Sequence, residues 1–245
     1  MTDRSEDYES LDLALRIGEL LLSSGAGATD VSAVMLEVTH ACGVRNVTAD
    51  VTFVDLSLRH QPSRSEPAAI QVRHVNRRPV DYADLIAVDE VVSQLVSGRI
   101  NRAEARDRVA KIVSTGHSRP RWTVTLGWGV MGVGIALTLG GTPLVCLLAF
   151  VAACGIDVTQ RLLPAHRIPP FYQHAAGGFV ATMIAVGATA SGLDVNPSRV
   201  VTTGIVMLLA GVGILGATQD AINGFPVTAA ARVIDAFLNT MGIIT

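Results

Sequence analysis

Apolar residues recur at Leu11, Leu15, Gly18 and Leu22, spacings of four, three and four, with Ile17 and Leu21 widening the stripe. That pattern predicts an amphipathic helix. Gly25 and Gly27 supply the backbone that ends it, and Thr29 or Asp30 is placed to cap a second helix through "VSAVMLEVTHACGV". The period then changes. Over Val47–Leu58, "VTADVTFVDLSL", polar and apolar residues alternate and β-branched types abound, which predicts one strand. A turn-like stretch with Pro62 and Pro67 leads to a second short strand near Ile70–Val75. Helical spacing returns at Leu85, Val88, Val92 and Leu95, ending near Gly98. Asn101 and Glu104 form a capping pair for a last helix to about Val113. Helices flanking a small sheet make residues 1–120 an α+β domain.

Beyond Arg121 the alternation gives way to long apolar runs. Segments near 122–141, 143–163, 169–192, 199–219 and 228–245 have, or nearly have, the length of about 20 residues needed to cross a bilayer. Residues 121–245 are therefore expected to be an all-α polytopic membrane bundle of about five transmembrane helices. Charge sharpens the division. Residues 1–121 hold 15 of the 19 Lys+Arg and 17 of the 21 Asp+Glu, and the last 124 residues hold four of each sign. A soluble domain seldom runs so far with so little charge, because its surface must face water. Hydrophobic residues make up 49% of the chain and the mean hydropathy is +0.43.

Arg119 and Arg121, then Arg161 and Arg167, then Arg232 fall on one side of this arrangement, and Arg199 on the other. By the positive-inside rule the N-terminal domain is cytosolic. "MTDRSEDYES" is polar and acidic, unlike a signal peptide, which agrees. Trp122 and Trp128 mark the interface of the first span. Gly132, Ala136 and Gly140 put small residues on one face of it, and Gly177, Gly178, Gly211 and Gly213 add surface for close helix approach.

A net charge of −2 and the lack of a basic patch argue against nucleic acid. Cys42, Cys146 and Cys154 lack metal-ligand spacing and read as small buried hydrophobes. His40, His60, His74 and His117 are scattered, as solvated or core histidines are. The Gly-rich loop at Gly25–Gly27 follows no strand and precedes no lysine, so it is no phosphate cradle. No nucleophile elbow, HExxH or Walker loop is present, so neither enzyme chemistry, metal nor cofactor is called for. The chemistry lies with polar residues in the apolar half: Asp157, Gln173, His174, Asp220, Asn223, Arg232 and Asp235. Ionisable groups at membrane depth are expensive and usually functional. Here they suit a path in which carboxylates carry protons and amides bind a zwitterion. The plainer alternatives stay open: "TQDAINGFP" as an ordinary loop, Gln173 and His174 as interfacial hydrogen-bonding groups, and Arg232 paired with Asp235 three residues on.

The stretches "LALRIGELLLSSGAGATDV", "LIAVDEVVSQLVSGRINRAEA", "RLLPAHRIPPFYQHAAGGFVATMIAVG" and "LLAGVGILGATQDAINGFPVTAAARVIDAFLNTMGI" resemble the threonine/serine exporter (ThrE) family over nearly the whole chain. The resemblance implies a cytosolic N-terminal domain, a membrane bundle in the lipid bilayer, and export of small hydroxy amino acids driven by the proton-motive force. It places the family's polar pattern on Asp220, Gly224, Ala231 and Arg232, with Asp235 where the family commonly has Glu. Asp220 and Asp235 would alternate between proton and substrate ammonium, Arg232 would hold the substrate carboxylate, Asn223 would donate hydrogen bonds, and Asp157 would be a second proton carrier. Fused members carry about five further helices, whereas this chain stops at Thr245. It is expected to be either one subunit of a two-part exporter, with a second-half membrane subunit or a homo-oligomer as its partner, or a truncated form. Two other readings remain: a dicarboxylate exporter with a partner subunit, and a membrane-anchored binding or regulatory module.

Overall fold

The computed structural model describes residues 2–63, 65–75, 82–115, 120–209 and 211–244. His117 and Arg119, used above, lie outside them. The chain is 73% helical with one three-stranded sheet, and it divides into two units. The first gathers Met1–Ser118 and Leu215–Arg232; the second gathers Arg119–Ile214 and Val233–Thr245.

In the first unit, α1 (Thr2–Ser23) is the central element and packs on α2 (Ala28–Ala41), α3 (Tyr82–Val96), α4 (Arg102–Thr115) and the sheet. The predicted stripe is its buried face: Leu11, Leu15 and Ile17 are fully buried with Met35, Leu56, Leu58, Val88 and Val109. Gly18 lets α2 approach, since a Cβ there would stand 2.6 Å from the Met35 sulfur. Arg73 reaches from the sheet to Asp12 and Glu19 on α1, each at 2.8 Å. Asn101 Oδ1 accepts from the Glu104 N–H at 2.9 Å, so α4 is capped as predicted. His60 belongs to the core, while His40 and His74 are exposed.

The single strand expected over Val47–Leu58 is instead a hairpin. β1 (Val47–Val51) and β2 (Asp55–His60) pair antiparallel with Val51 opposite Leu56, and β3 (Ala69–His74) completes the order β1-β2-β3. The turn is made by Thr52, whose N–H donates to the Asp55 carbonyl at 2.9 Å and whose hydroxyl accepts from the Asp55 N–H at 3.0 Å. This local side-chain bond outweighs the β preference of Phe53 and Val54.

The second unit contains α5 (Arg121–Thr138), α6 (Pro143–Ala165), α7 (Pro170–Ala190), α8 (Pro197–Leu208) and the end of α10 (Pro226–Ile244). Its helices meet through small residues. A Cβ on Gly132 would lie 2.8 Å from the Ala153 Cβ, and one on Gly204 would lie 2.5 Å from that of Ala181. Gly178 and Gly242 likewise face backbone of Ile243 and Phe171. Gly140 differs from expectation: it sits past the end of α5 at φ 71°, with nothing within 4 Å of a Cβ. Large apolar side chains such as Leu137, Leu147, Phe179 and Met183 point outward.

Three segments are long and apolar enough to cross a membrane among the described residues: Pro143–Ala165, Pro197–Ile222 and Pro226–Ile244. Of the five spans expected, α5 and α7 are not among these three: Arg121 opens α5, which also carries glycines and threonines, and Gln173 and His174 open α7. The expected span at 199–219 falls within Pro197–Ile222, where α8 ends at Leu208, Leu209 is extended at φ −62°, ψ 133°, and α9 is Gly211–Ile222.

Candidate functional site

The site in the first unit begins where α1 stops. Ser24, Gly25 and Ala26 return their N–H groups to Leu20, Leu22 and Leu21, and Gly25 takes φ 94°, which glycine tolerates freely. Gly27 is the N-cap of α2 and has no side chain with which to cap it; neither Thr29 nor Asp30 does so either. The first N–H groups of a helix need an outside acceptor. It comes from 192 residues away: Ala28 N–H donates to Asp220 Oδ1 at 2.8 Å. A carboxylate fits there because a helix N-terminus carries about half a positive charge.

Asp220 lies in the last turn of α9, not in a loop. Its own carbonyl accepts from Phe225 N–H at 2.8 Å, closing a turn in which Gly224 has φ 89°. Phe225 packs on the core of this unit, and Thr228 donates to the Val51 carbonyl at 3.3 Å. Farther along α10, Arg232 turns back: Nε stands 2.8 Å from Asp220 Oδ2, and Nη2 donates to the Ala26 carbonyl at 2.8 Å. Gly216 leaves room for the guanidinium, since a Cβ there would be 3.2 Å from Nη1. Asp220 is 1% exposed and the Arg232 side chain 11%. Oδ2 and Nε are at ion-pair distance, but their alignment is not that of a hydrogen bond. Both, with Thr29 Oγ1, are buried without a hydrogen-bond partner.

In the second unit, Asp157 on α6 is held by Arg161 Nη2 one turn on and by Thr125 Oγ1 of α5, which donates at 2.6 Å. The same Arg161 nitrogen donates to Thr125 Oγ1 at 2.9 Å, so Arg161 is tied to both Asp157 and Thr125. Gln173 Nε2 donates to the Ile168 carbonyl at 2.6 Å, and His174 Nδ1 lies 2.9 Å from the Pro170 carbonyl; both bonds tidy the first turn of α7. Asp235 accepts from Asn239 at 3.4 Å, one turn along α10. Asn223 is exposed on the α9–α10 turn. Two shallow cavities in the first unit, about 180 and 300 Å³, are lined by Arg16, Glu19 and Arg73 and by Asn46, Thr48 and Arg59; neither includes a predicted site residue.

The ThrE family model, "Putative threonine/serine exporter", matches residues 12–245. The chain belongs to the threonine/serine exporter family. It is 36% identical over 235 residues to the "Probable threonine/serine exporter" of Mycobacterium tuberculosis, covering 96% of this chain and 44% of that protein. It is 32% identical over 249 residues to the "Threonine/serine exporter" of Corynebacterium glutamicum, covering 100% of this chain and 51% of that one. The chain thus spans about half the length of the curated relatives it matches. No solved structure matches it. A transporter family is not an enzyme class, and with its apolar helices this family member is a membrane protein.

Of the residues singled out for this exporter-family chain, the structure joins Asp220 and Arg232 directly. What sequence reasoning missed is the backbone between them and the N-terminal region: Ala26, Gly27 and Ala28. The signal was available in part. A glycine N-cap implies an acceptor from elsewhere, but nearby Thr29 and Asp30 offered a local answer. Thr125 was missed as well, because a lone threonine in an apolar helix has no spacing to betray it.

Proposed function

We propose that this chain is the N-terminal part of an exporter of threonine and serine in the plasma membrane, driven by the proton-motive force. The observation that carries this reading is the match of residues 12–245 to the exporter family, joined by two relatives with that printed name over almost the whole chain. In this reading α5 and α7 cross the membrane together with the three more apolar segments, giving five spans. Residues 1–120 face the cytosol, as the arginine distribution suggests. The functional partner is a second membrane block, supplied by another polypeptide or by self-association, because the relatives are about twice as long.

Asp220 and Arg232 bind the two charged ends of the substrate. Asp235 and Asp157 serve as further proton carriers, while Asn223, Gln173 and His174 line the path with hydrogen-bonding groups.

The test is threonine efflux from cells loaded with a threonine-containing dipeptide. This chain is expressed alone and with the second half of a relative, and Asp220→Asn is run at equal membrane abundance. Efflux is expected only with the second half and is expected to vanish in the variant. A chain that reaches the membrane and, with its second half, exports neither threonine nor serine overturns the reading.

A further inference from the structure

We infer that the free edge of β3 is a docking surface for β3 of a second copy of this chain, the two strands pairing antiparallel about a two-fold axis at Gln71. The ladder decides which backbone groups are available. Val75 N–H donates to the Val54 carbonyl at 2.7 Å, and hydrogen-bonded pairs alternate along an antiparallel ladder. Ala69, Gln71 and Arg73 therefore aim their backbone groups at β2, while Ile70, Val72 and His74 aim theirs away from the sheet. No hydrogen bond to these outward groups occurs among the described residues. The opposite edge is closed: Val51 on β1 gives its outward carbonyl to the Thr228 hydroxyl at 3.3 Å, and α2 packs on β1. Side chains along β3 favour pairing too. Ile70 and Val72 are 62% and 65% exposed in the unit that holds most of the charge, so water rather than lipid meets them. Edge strands that resist pairing carry lysine, proline or a bulge, and β3 has none of these. Its inward charge, Arg73, is already tied to Asp12 and Glu19. Tyr8, 48% exposed, lies next to this edge, where Gln71 Nε2 donates to its carbonyl at 3.3 Å.

A second copy is the occupant because β3 is complementary to itself when reversed. With the axis at Gln71, Ile70 of each copy exchanges backbone bonds with Val72 of the other. The β-branched side chains of both copies then form one apolar cluster, the cross-strand contact that stabilises sheets. Gln71 meets Gln71 across the axis and Arg73 meets Ala69, so no like charges face each other. Reversal also brings the basic end of one strand, Arg73 and His74, towards the acidic end of the other, which Glu66 precedes. Moving the axis to Val72 would set Ile70 against His74 and lose the cluster. Pairing about a two-fold axis uses the free edge of both copies at once, so the assembly closes as a dimer with one continuous sheet and does not grow into a fibre.

The experiment is disulfide trapping of the purified full chain in detergent, with Cys42, Cys146 and Cys154 replaced by serine. A non-hydrogen-bonded antiparallel pair sets its Cα atoms about 4.5 Å apart, within the span of a disulfide. Gln71→Cys is therefore expected to give a disulfide-linked dimer under mild oxidation, read by non-reducing electrophoresis and mass spectrometry. Thr48→Cys, exposed on β1, is expected to stay monomeric. Adding Val72→Lys to Gln71→Cys removes the Ile70–Val72 contacts and is expected to weaken self-association about tenfold. The melting temperature is expected to stay the same, since the Val72 side chain is exposed. Gln71→Cys giving no more dimer than Thr48→Cys, or a dimer indifferent to Val72→Lys, overturns the proposal. In intact membranes, a Gln71→Cys disulfide to a different polypeptide and none to its own copy overturns the second copy as occupant.

Discussion

Two acid–arginine pairs anchor the two units, and they are built on opposite plans. Asp157 and Arg161 sit one turn apart on the same helix, so the pair forms as soon as α6 does, and Thr125 adds a bond from another helix. Asp220 and Arg232 sit on different helices, and each holds backbone in the link between α1 and α2. Arg161 is a third exposed, whereas Arg232 is nearly enclosed. The first pair decorates a helix that would exist without it. The second closes a contact between chain segments about 200 residues apart, and so it carries tertiary structure.

Removing one member of each pair gives the sharpest contrast. Arg232→Ala leaves a buried carboxylate without its counter-charge and is expected to cost about 3–5 kcal/mol, read as a large drop in thermal stability by size-exclusion of the purified chain. Arg161→Ala is expected to cost less, because Thr125 still donates to the Asp157 carboxylate. Equal losses would break the comparison. Next in size is the packing of the second unit. Gly132→Ala sets a methyl against the Ala149 carbonyl and the Ala153 Cβ and is expected to cost about 1–3 kcal/mol, while Gly134→Ala, which meets nothing within 4 Å, should be neutral or slightly stabilising.

Smaller again is Thr125→Val, which takes one hydroxyl from Asp157 and should cost about 1 kcal/mol in the same assay. The smallest effect belongs to Cys42 in the first unit. Burial pushes its thiol above the ordinary 9.0, offset in part by a hydrogen bond from Ser10 and the charge of Arg102. Below that pH the thiol is protonated in folded and unfolded chains alike. As pH rises the unfolded chain ionises first, so this group's contribution to stability declines. Alkylation of Cys42, with Cys146 and Cys154 replaced by serine, should therefore begin at higher pH in the folded chain than in denaturant.

The same contrast explains what could be read beforehand. Periodicity exposed the Leu11–Leu22 stripe, the Asn101 cap and the apolar spans of α6 and α10, because each is set by neighbours in sequence. The hairpin at Thr52 was hidden because Phe53 and Val54 look like strand, and only the hydroxyl's two bonds show otherwise. Asp220 and Arg232 stood out as charges in apolar sequence, but their pairing did not: a spacing of twelve residues across a turn carries no pattern. The Asp157–Arg161 pair was passed over although a spacing of four on one helix is a pairing pattern.

Gly27 gives the chain one further property, a schedule. A helix capped by its own serine or aspartate is finished when its first turn is made. The first turn of α2 has no such residue, and its acceptor is encoded 192 positions later. At about 5–20 residues per second, Asp220 is synthesised roughly 10–40 s after Ala28. For that interval the ribosome has produced a nearly complete N-terminal region whose Ala28 N–H is still waiting for its carboxylate. Helices made long after the N-terminal region are therefore the ones that complete it.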